Sequence, residues 1–247
     1  MDEMIYLAMT GAKQTEYAQA INTNNLANVS TTGFRADLHS FSSVPIEGPG
    51  VESRVNAVVE AYGTDFSQGP VMSTGVELDI AINGPGMIAV QSADGSEAYT
   101  RAGDLKLGSG GLLITGAGHL VLGNGGPVAI PDNSGLSIGA DGSVSVVPLG
   151  QGPETLAEVD RIKLVNPDTT LLSKGPHGLF RLPEGEISAA DPAVTVTSGH
   201  LEQSNVNITK TLVNMIELAR QYEMQINVIK TAEENADAAA EMMQVGA

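Results

Sequence analysis

Residues 208–243 have the sequence ITKTLVNMIELARQYEMQINVIKTAEENADAAAEMM, and they decide the fold. A mostly apolar residue recurs at alternating steps of four and three, the heptad pattern of a coiled-coil helix. The predicted seam consists of Ile208, Leu212, Met215, Ala219, Tyr222, Ile226, Ile229, Glu233, Ala236, Ala240 and Met243. Glu233 is its one charged member. Because such a seam is stable only when it packs against another helix, the sequence predicts a partner helix, in this chain or in a neighbour.

The N-terminal segment is the candidate partner. Residues 3–28 are predicted to form a helix whose inner stripe repeats with the same spacing. That stripe consists of Ile5, Ala8, Ala12, Thr15, Gln19, Asn22 and Leu26. Most of these side chains are small or polar, so the helix is too weak to be stable alone and is expected to form within a helical bundle.

The segment from Asn24 to Arg35 is predicted to end this helix and to turn the chain. Asn25 and Asn28 are residues that tolerate a left-handed backbone, and Gly33 permits a positive φ without a steric penalty. Phe34 offers an apolar anchor beside the charge of Arg35.

The same segment closely resembles the N-terminal signature of the bacterial flagellar rod, hook and related axial proteins. That signature is Asn, any residue, Leu-Ala-Asn, two residues, Thr, any residue, Gly, an aromatic and a basic residue. Its eight specified positions are filled here without a gap, by Asn24, Leu26, Ala27, Asn28, Thr31, Gly33, Phe34 and Arg35. Ser204-Asn205-Val206, Met215-Ile216 and Ile229-Lys230-Thr231-Ala232 are similar to the C-terminal patterns of rod proteins.

The resemblance implies an assembly interface made from both ends of the chain. We predict that it comprises Asn24, Leu26, Asn28, Gly33, Phe34 and Arg35 with Ile208, Leu212, Met215, Ala219, Tyr222, Ile226 and Ile229.

The middle of the chain is predicted to be a β domain. Short apolar runs alternate with glycine turns such as Asn83-Gly84 and Asp141-Gly142, a pattern typical of antiparallel strands. The fold class is therefore α+β, with paired terminal helices and a mainly antiparallel β domain between them. The expected division is an N-terminal helix and signature turn over 1–35, an extended connector over 36–75, a β-rich domain over 76–199 and a coiled-coil helix over 200–247. Within the connector, Val55 to Glu60 is predicted to be a short strand.

Composition narrows the functional classes. The net charge is −17 and is spread along the chain, which disfavours binding to nucleic acid or to an anionic membrane surface. There is no cysteine for disulfides or thiolate chemistry. The first 20 residues lack the apolar run of a Sec signal, and no stretch is apolar enough to span a membrane.

Candidate catalytic motifs are weak. The four histidines are isolated in sequence, so no metal ligand set is predicted. Gly135 to Gly139 matches the Gly-x-Ser-x-Gly nucleophile elbow, but a strand running into a hairpin is expected there instead of the required strand-to-helix turn. Glu77 and Asp79 are predicted to share a solvated strand face. We therefore predict no catalytic residue, no cofactor and no small-molecule substrate.

The resemblance implies a structural subunit of the flagellar basal-body rod. It implies the proximal type, because hook proteins are much longer and the connector lacks the long insertion expected of the distal rod protein. Such a subunit packs helically around a channel with other rod proteins and copies of itself. It is located in the part of the flagellum that crosses the periplasm, and it leaves the cell through the flagellar export apparatus without a cleaved Sec signal. The alternative is a surface or phage-like β-rich binding protein that forms oligomers through its C-terminal coiled coil.

Overall fold

A computed structural model describes residues 2–45, 55–150 and 155–245. The chain forms an α+β fold with a helix at each end and antiparallel strands between them, as the sequence predicts. The helices are α1 (Asp2–Ala27) and α2 (Ile208–Val245). The strands are β1 (Asp37–Pro45), β2 (Val55–Thr64), β3 (Val71–Ser73), β4 (Ile80–Asn83), β5 (Met87–Gln91), β6 (Glu97–Thr100), β7 (Leu105–Leu107), β8 (Leu113–Thr115), β9 (Leu120–Val121), β10 (Asn133–Ile138), β11 (Ser143–Pro148), β12 (Ala157–Arg161), β13 (Leu164–Val165), β14 (Ser173–Lys174), β15 (Phe180–Arg181), β16 (Thr195–Ser198) and β17 (His200–Glu202).

These elements form two compact units, each built from segments distant in sequence. The helical unit contains residues 1–28, 36–65 and 206–247, and the β unit contains residues 29–35 and 66–205. The chain therefore passes between the units at four places, after Asn28, Arg35, Asp65 and Asn205. The four-part division made from the sequence stays a prediction.

In the helical unit, α1 and α2 pack against each other as an antiparallel pair. Asn22 of α1 lies opposite Thr211 near the start of α2, whereas Thr15 lies opposite Gln225 further along. The strands β1 and β2 form an antiparallel hairpin in the same unit. The strand predicted from Val55 is present and extends to Thr64, and its partner β1 was not predicted. Asn207 caps α2 by accepting a hydrogen bond from the Lys210 N–H at 3.0 Å.

The seam between the helices is displaced by one residue from the predicted one. The side chains of α2 that the structure buries are Thr211, Leu218 and Ala232, whereas Leu212, Ala219 and Glu233, the predicted members beside them, are exposed. Met215, Ile229 and Ala236 are half-buried, so the other half of the predicted seam does face inward. In α1, Ala12, Thr15 and Asn22 are buried as predicted, and Ala18 and Asn25 are buried more deeply than the predicted Gln19 and Leu26.

The β unit is organised around an eight-stranded antiparallel sheet. Its strand order is β14-β15-β6-β5-β9-β8-β7, with β13 also paired to β5. Strand β5 is buried on both faces: Ile88 and Val90 belong to one hydrophobic cluster and Met87 and Ala89 to another. This explains why its sequence is continuously apolar instead of alternating. A separate sheet has the order β10-β11-β12.

One local prediction for the β unit is wrong. Strand β4 begins only at Ile80, because Glu77 and Leu78 form a turn, so Glu77 and Asp79 do not share a strand face. The hairpin of β10 and β11 confirms that Ser137 of the Gly-x-Ser-x-Gly match lies in a strand that enters a hairpin.

Candidate functional site

The signature turn, residues 29–35, belongs to the β unit, where it is held by a buried carboxylate. Arg35 Nη2 lies 2.6 Å from Glu202 Oε1, and Arg101 Nη1 lies 2.9 Å from Glu202 Oε2. The Gly69 N–H also donates to Glu202 Oε1 at 2.9 Å, and the Gly33 N–H donates to the Glu202 carbonyl at 2.8 Å. We call Gly33, Arg35, Gly69, Arg101 and Glu202 the Glu202 cluster.

The two arginines of this cluster are out of reach of water. Arg35 is 1% exposed, Arg101 6% and Glu202 1%. Removing charges from water is costly unless each finds partners of opposite charge, and here one carboxylate serves both guanidinium groups. Burial, the largest cause, lowers the pKa of Arg101; the neighbouring charge of Arg35 acts in the same direction, and Glu202 opposes both. Arg101 Nη2 also donates to the carbonyl of Gly84 at 2.5 Å.

Glycine is required at position 33 for two reasons. Its φ is +66°, a conformation that glycine permits, and a Cβ atom there would lie 2.3 Å from the carbonyl carbon of Arg101. The turn therefore passes directly against the backbone that carries Arg101. No L-amino acid with a side chain fits that approach without moving one of the two segments.

Phe34 is anchored by the ammonium group of Lys174. The Lys174 Nζ atom lies 4.0 Å from the centre of the Phe34 ring and donates a hydrogen bond to the Arg35 carbonyl at 2.8 Å. A cation over an aromatic face is attractive, and the ring itself is buried. The Asn205 N–H donates to the Phe34 carbonyl at 3.3 Å, which ties the turn to the last residue of the β unit.

The signature residues before Val29 belong to the helical unit. Asn25, which is not one of the specified positions, donates from Nδ2 to the Asp37 carbonyl and accepts from the Asp37 N–H, both at 2.8 Å. It thus remains inside α1 and fastens the start of β1, instead of adopting the left-handed backbone that would end the helix. Asn28 follows the helix, and its N–H donates to the Asn24 carbonyl at 3.1 Å. Asn24 itself is exposed and Leu26 is half-buried.

The predicted members of the interface on α2 lie at different depths. Ile208, Leu212, Ala219 and Tyr222 are exposed, whereas Met215, Ile226 and Ile229 are half-buried. The structure thus brings Gly33, Phe34 and Arg35 together inside the β unit and leaves much of the predicted α2 stripe on the surface of the helical unit. Whether these residues form an assembly interface stays a prediction.

Three residues of the site were missed from the sequence: Gly69, Arg101 and Glu202. No periodicity in the sequence marks Arg101 or Glu202 as a buried charged residue. Nothing in the local sequence distinguishes Glu202 from an acidic residue on the surface. Its role can be recognised only from the fold.

Comparison with known proteins agrees with this arrangement. Three family models match: "Flagella basal body rod protein" over residues 5–35, "Flagellar hook protein FlgE/F/G D1 domain" over 81–146, and "Flagellar basal body rod FlgEFG protein C-terminal" over 197–242. The flagellar basal-body rod protein FlgF of Salmonella typhimurium is 40% identical over 252 residues, covering 99% of this chain and 100% of the relative. The FlgF of Escherichia coli is equally similar, and the FlgG of Bacillus subtilis is 32% identical over 253 residues, covering 93% of this chain and 95% of the relative.

These findings define a structural protein of the flagellar axis. The chain belongs to the flagellar basal-body rod protein family, and its similarity to FlgF proteins extends over nearly its whole length. It is a structural subunit of the bacterial flagellar basal-body rod, and the alternative of a surface or phage-like binding protein is not favoured. No helix among the described residues is long and apolar enough to cross a membrane.

Proposed function

We propose that this rod subunit assembles helically with copies of itself and other rod proteins through its paired terminal helices, which line the shaft and its channel. The observation that carries the proposal is the distribution of apolar side chains around α2. With about 3.6 residues per turn, the stripe of Thr211, Leu218 and Ala232 faces α1. Large apolar residues remain exposed on both flanks of that stripe.

The first flank carries Ile208, Leu212 and Ile216, and the second carries Val213, Met224 and Val228. All six are more than one third exposed, and Met224 reaches 61%. Several large apolar side chains exposed close together characteristically mark a surface that binds a partner. Burying each of these side chains contributes roughly 1.5 to 3 kcal/mol. Neighbouring subunits that cover both flanks would therefore supply much of the free energy of assembly.

Most of the large exposed apolar side chains of α2 lie in its first part, and Met242, which is 72% exposed, is the exception near its end. Beyond Ile229, the outward positions include Lys230, Glu234, Asp237 and Glu241. Charged side chains can stay exposed to water at little cost in free energy, whereas apolar side chains at the same positions would be unfavourable there. We therefore place the closest contacts between subunits along residues 208–228.

The signature turn supports assembly from inside the β unit. Gly33, Phe34 and Arg35 are buried, so their part in assembly is to hold the chain where it leaves that unit. Three of the four crossings between the units, those after Arg35, Asp65 and Asn205, lie within four residues of a member of the Glu202 cluster. Because the cluster fixes the chain at these crossings, the segments that lead to the helices have less conformational freedom before assembly. Less conformational entropy is therefore lost when the subunit assembles.

We also propose that the subunit leaves the cell through the flagellar export apparatus and keeps its N-terminal segment. In support, Ala12, Thr15 and Asn22 of α1 form the buried seam with α2. Removing this segment would expose the seam of α2. Mass spectrometry of purified basal bodies should recover the peptide that contains residues 2–13, and its absence would contradict this part of the proposal.

Substitutions on α2 test the assembly role. Leu212→Asp and Ile216→Asp should each reduce incorporation into basal bodies at least tenfold in a strain that lacks the native gene. Immunoblots of purified basal bodies and spreading in soft agar are the measurements. The circular dichroism of the purified monomers should stay unchanged, because both side chains are exposed.

Leu149→Asp and Ile187→Asp are matched controls, since they place the same charge at exposed apolar sites of the β unit. They should incorporate as the wild type does. Normal incorporation of both α2 variants would refute the proposal.

A further inference from the structure

Two histidines that are isolated in sequence meet in the β unit. His119 directly precedes β9, and His177 lies in a short 3-10 turn between β14 and β15. Their ring centres are 6.0 Å apart, and the ring planes are inclined by 52°. The two residues are far apart in sequence, so their proximity depends on the fold.

We propose that His119 and His177 form a binding site for a divalent transition-metal ion of the Zn²⁺ or Ni²⁺ type. The argument begins with distance. A metal–nitrogen bond of about 2.0–2.1 Å places the ion about 3.2 Å from each ring centre, so two ligating imidazoles have centres roughly 5.2 Å apart in tetrahedral and 6.4 Å apart in linear geometry. The observed 6.0 Å lies between these values, so a small side-chain rotation would bring the two rings to the tetrahedral separation.

The surroundings leave room for an ion and its water. Both rings line an open cleft of about 520 Å³. Its other walls are formed mainly by small and polar residues, namely Gln91, Ser92, Ala93, Gly95, Ala117, Gly118 and Leu120. Among the described residues no third His, Asp or Glu joins the pair as a ligand. The remaining coordination positions therefore belong to water, which predicts exchangeable binding in the micromolar range.

The environment of His119 also suits a metal ligand. Burial lowers the pKa of His119, and the proximity of His177 lowers it further, so the neutral imidazole that binds metals is favoured at pH 7. The nearby Arg181 guanidinium bonds to Ser92 at 2.8 Å, but it is paired with Asp94 at the same distance. That pairing reduces the repulsion that an arriving cation would meet.

The backbone holds His177 in place. Its φ is +61°, the only positive value of a residue other than glycine in the described part of the chain. Histidine occurs in this conformation more often than most residues, and Gly, Asn and Asp are the other residues that adopt it readily. The turn thus presents the imidazole toward the cleft in a fixed backbone conformation.

Isothermal titration calorimetry with ZnSO₄ and NiCl₂ on the full chain, purified without a histidine tag, tests the site. We expect one saturable site in the wild type, with a dissociation constant below about 100 µM. His119→Ala and His177→Asn should each weaken it at least tenfold. His39→Ala and His200→Ala are matched controls that remove the two other histidines, and they should bind as the wild type does.

Imidazole ¹⁵N chemical shifts supply a structural readout independent of affinity. On addition of Zn²⁺ the ring nitrogens of His119 and His177 should move together, and those of His39 and His200 should not. The proposal is overturned if neither metal binds, or if binding survives in the double variant His119→Ala/His177→Asn. Shifts confined to His39 or His200 would overturn it equally.

Discussion

Arg35 and Glu202 lie at opposite ends of the chain and form a buried ion pair, with 2.6 Å between Nη2 and Oε1 and side chains that are 1% and 0% exposed. Arg35 is the last residue of the β unit before the chain enters the hairpin of the helical unit, and Glu202 precedes the crossing to α2 by three residues. A single carboxylate therefore holds both the path into the hairpin and the path into the C-terminal helix.

Neutralising that carboxylate should destabilise the β unit. Glu202→Gln leaves Arg35 and Arg101 buried without an anion, and breaking a buried pair in this way costs about 3–5 kcal/mol. Urea unfolding of the purified chain, followed by near-ultraviolet circular dichroism, measures the loss. Glu77→Gln makes the same change at an exposed position of the same unit and should change the free energy of unfolding by less than about 0.5 kcal/mol. Equal effects of the two substitutions would show that the cluster adds nothing to stability.

A second prediction separates backbone strain from steric overlap at the signature glycine. Gly33→Ala meets both a positive φ and the Arg101 backbone, whereas Gly95→Ala has a φ of +83° and no heavy atom within 4 Å of the added Cβ. We expect Gly95→Ala to lower the free energy of unfolding by about 1 kcal/mol and Gly33→Ala to lower it by clearly more. Thermal unfolding of both variants gives the comparison. If Gly33→Ala lost no more than Gly95→Ala, the turn would have room to move away from Arg101.

The buried phenol of Tyr99 provides a pH-dependent signal from the core of the β unit. Burial raises the pKa of Tyr99 to about 12, although the phenol oxygen accepts a hydrogen bond from the Ser188 N–H at 2.7 Å. A folded-state pKa above the unfolded value of about 10 means that the stability of the neutral form is fully present below pH 10 and is lost as pH rises toward 12.

Spectrophotometric titration at 295 nm should therefore show one of the five tyrosines ionising near pH 12 in the folded protein. In Tyr99→Phe this last step should be absent, and in Tyr222→Phe, where the ring is 40% exposed, it should remain. A high-pH step that persists in Tyr99→Phe would assign the shifted pKa to another residue.

Sequence predicted the two terminal helices and their pairing because a heptad repeat depends only on local spacing. It also showed a glycine at position 33, which permits the positive φ found there. It could not predict the Glu202 cluster, since the contacts of Arg35, Gly69 and Arg101 with one carboxylate depend on the three-dimensional path of the chain. The exact rotation of α2 was also missed, because apolar residues on its outer flanks gave a stronger pattern than the small and polar residues that face α1.

That rotation gives the last prediction. The heptad pattern placed Glu233 in the seam as an interruption, but the structure exposes Glu233 and buries the neighbouring Ala232 at 6% exposure. Ala232→Glu should therefore force a charge into the contact with α1 and lower the melting temperature of the helical signal at 222 nm by several degrees. Glu233→Ala should leave it nearly unchanged or raise it slightly, because alanine has the higher helix propensity. If Glu233→Ala lowered the melting temperature more than Ala232→Glu, Glu233 would face α1 in solution, as the heptad pattern predicts. The two substitutions are adjacent and exchange the same two residue types, so the difference between them isolates the direction in which each side chain points.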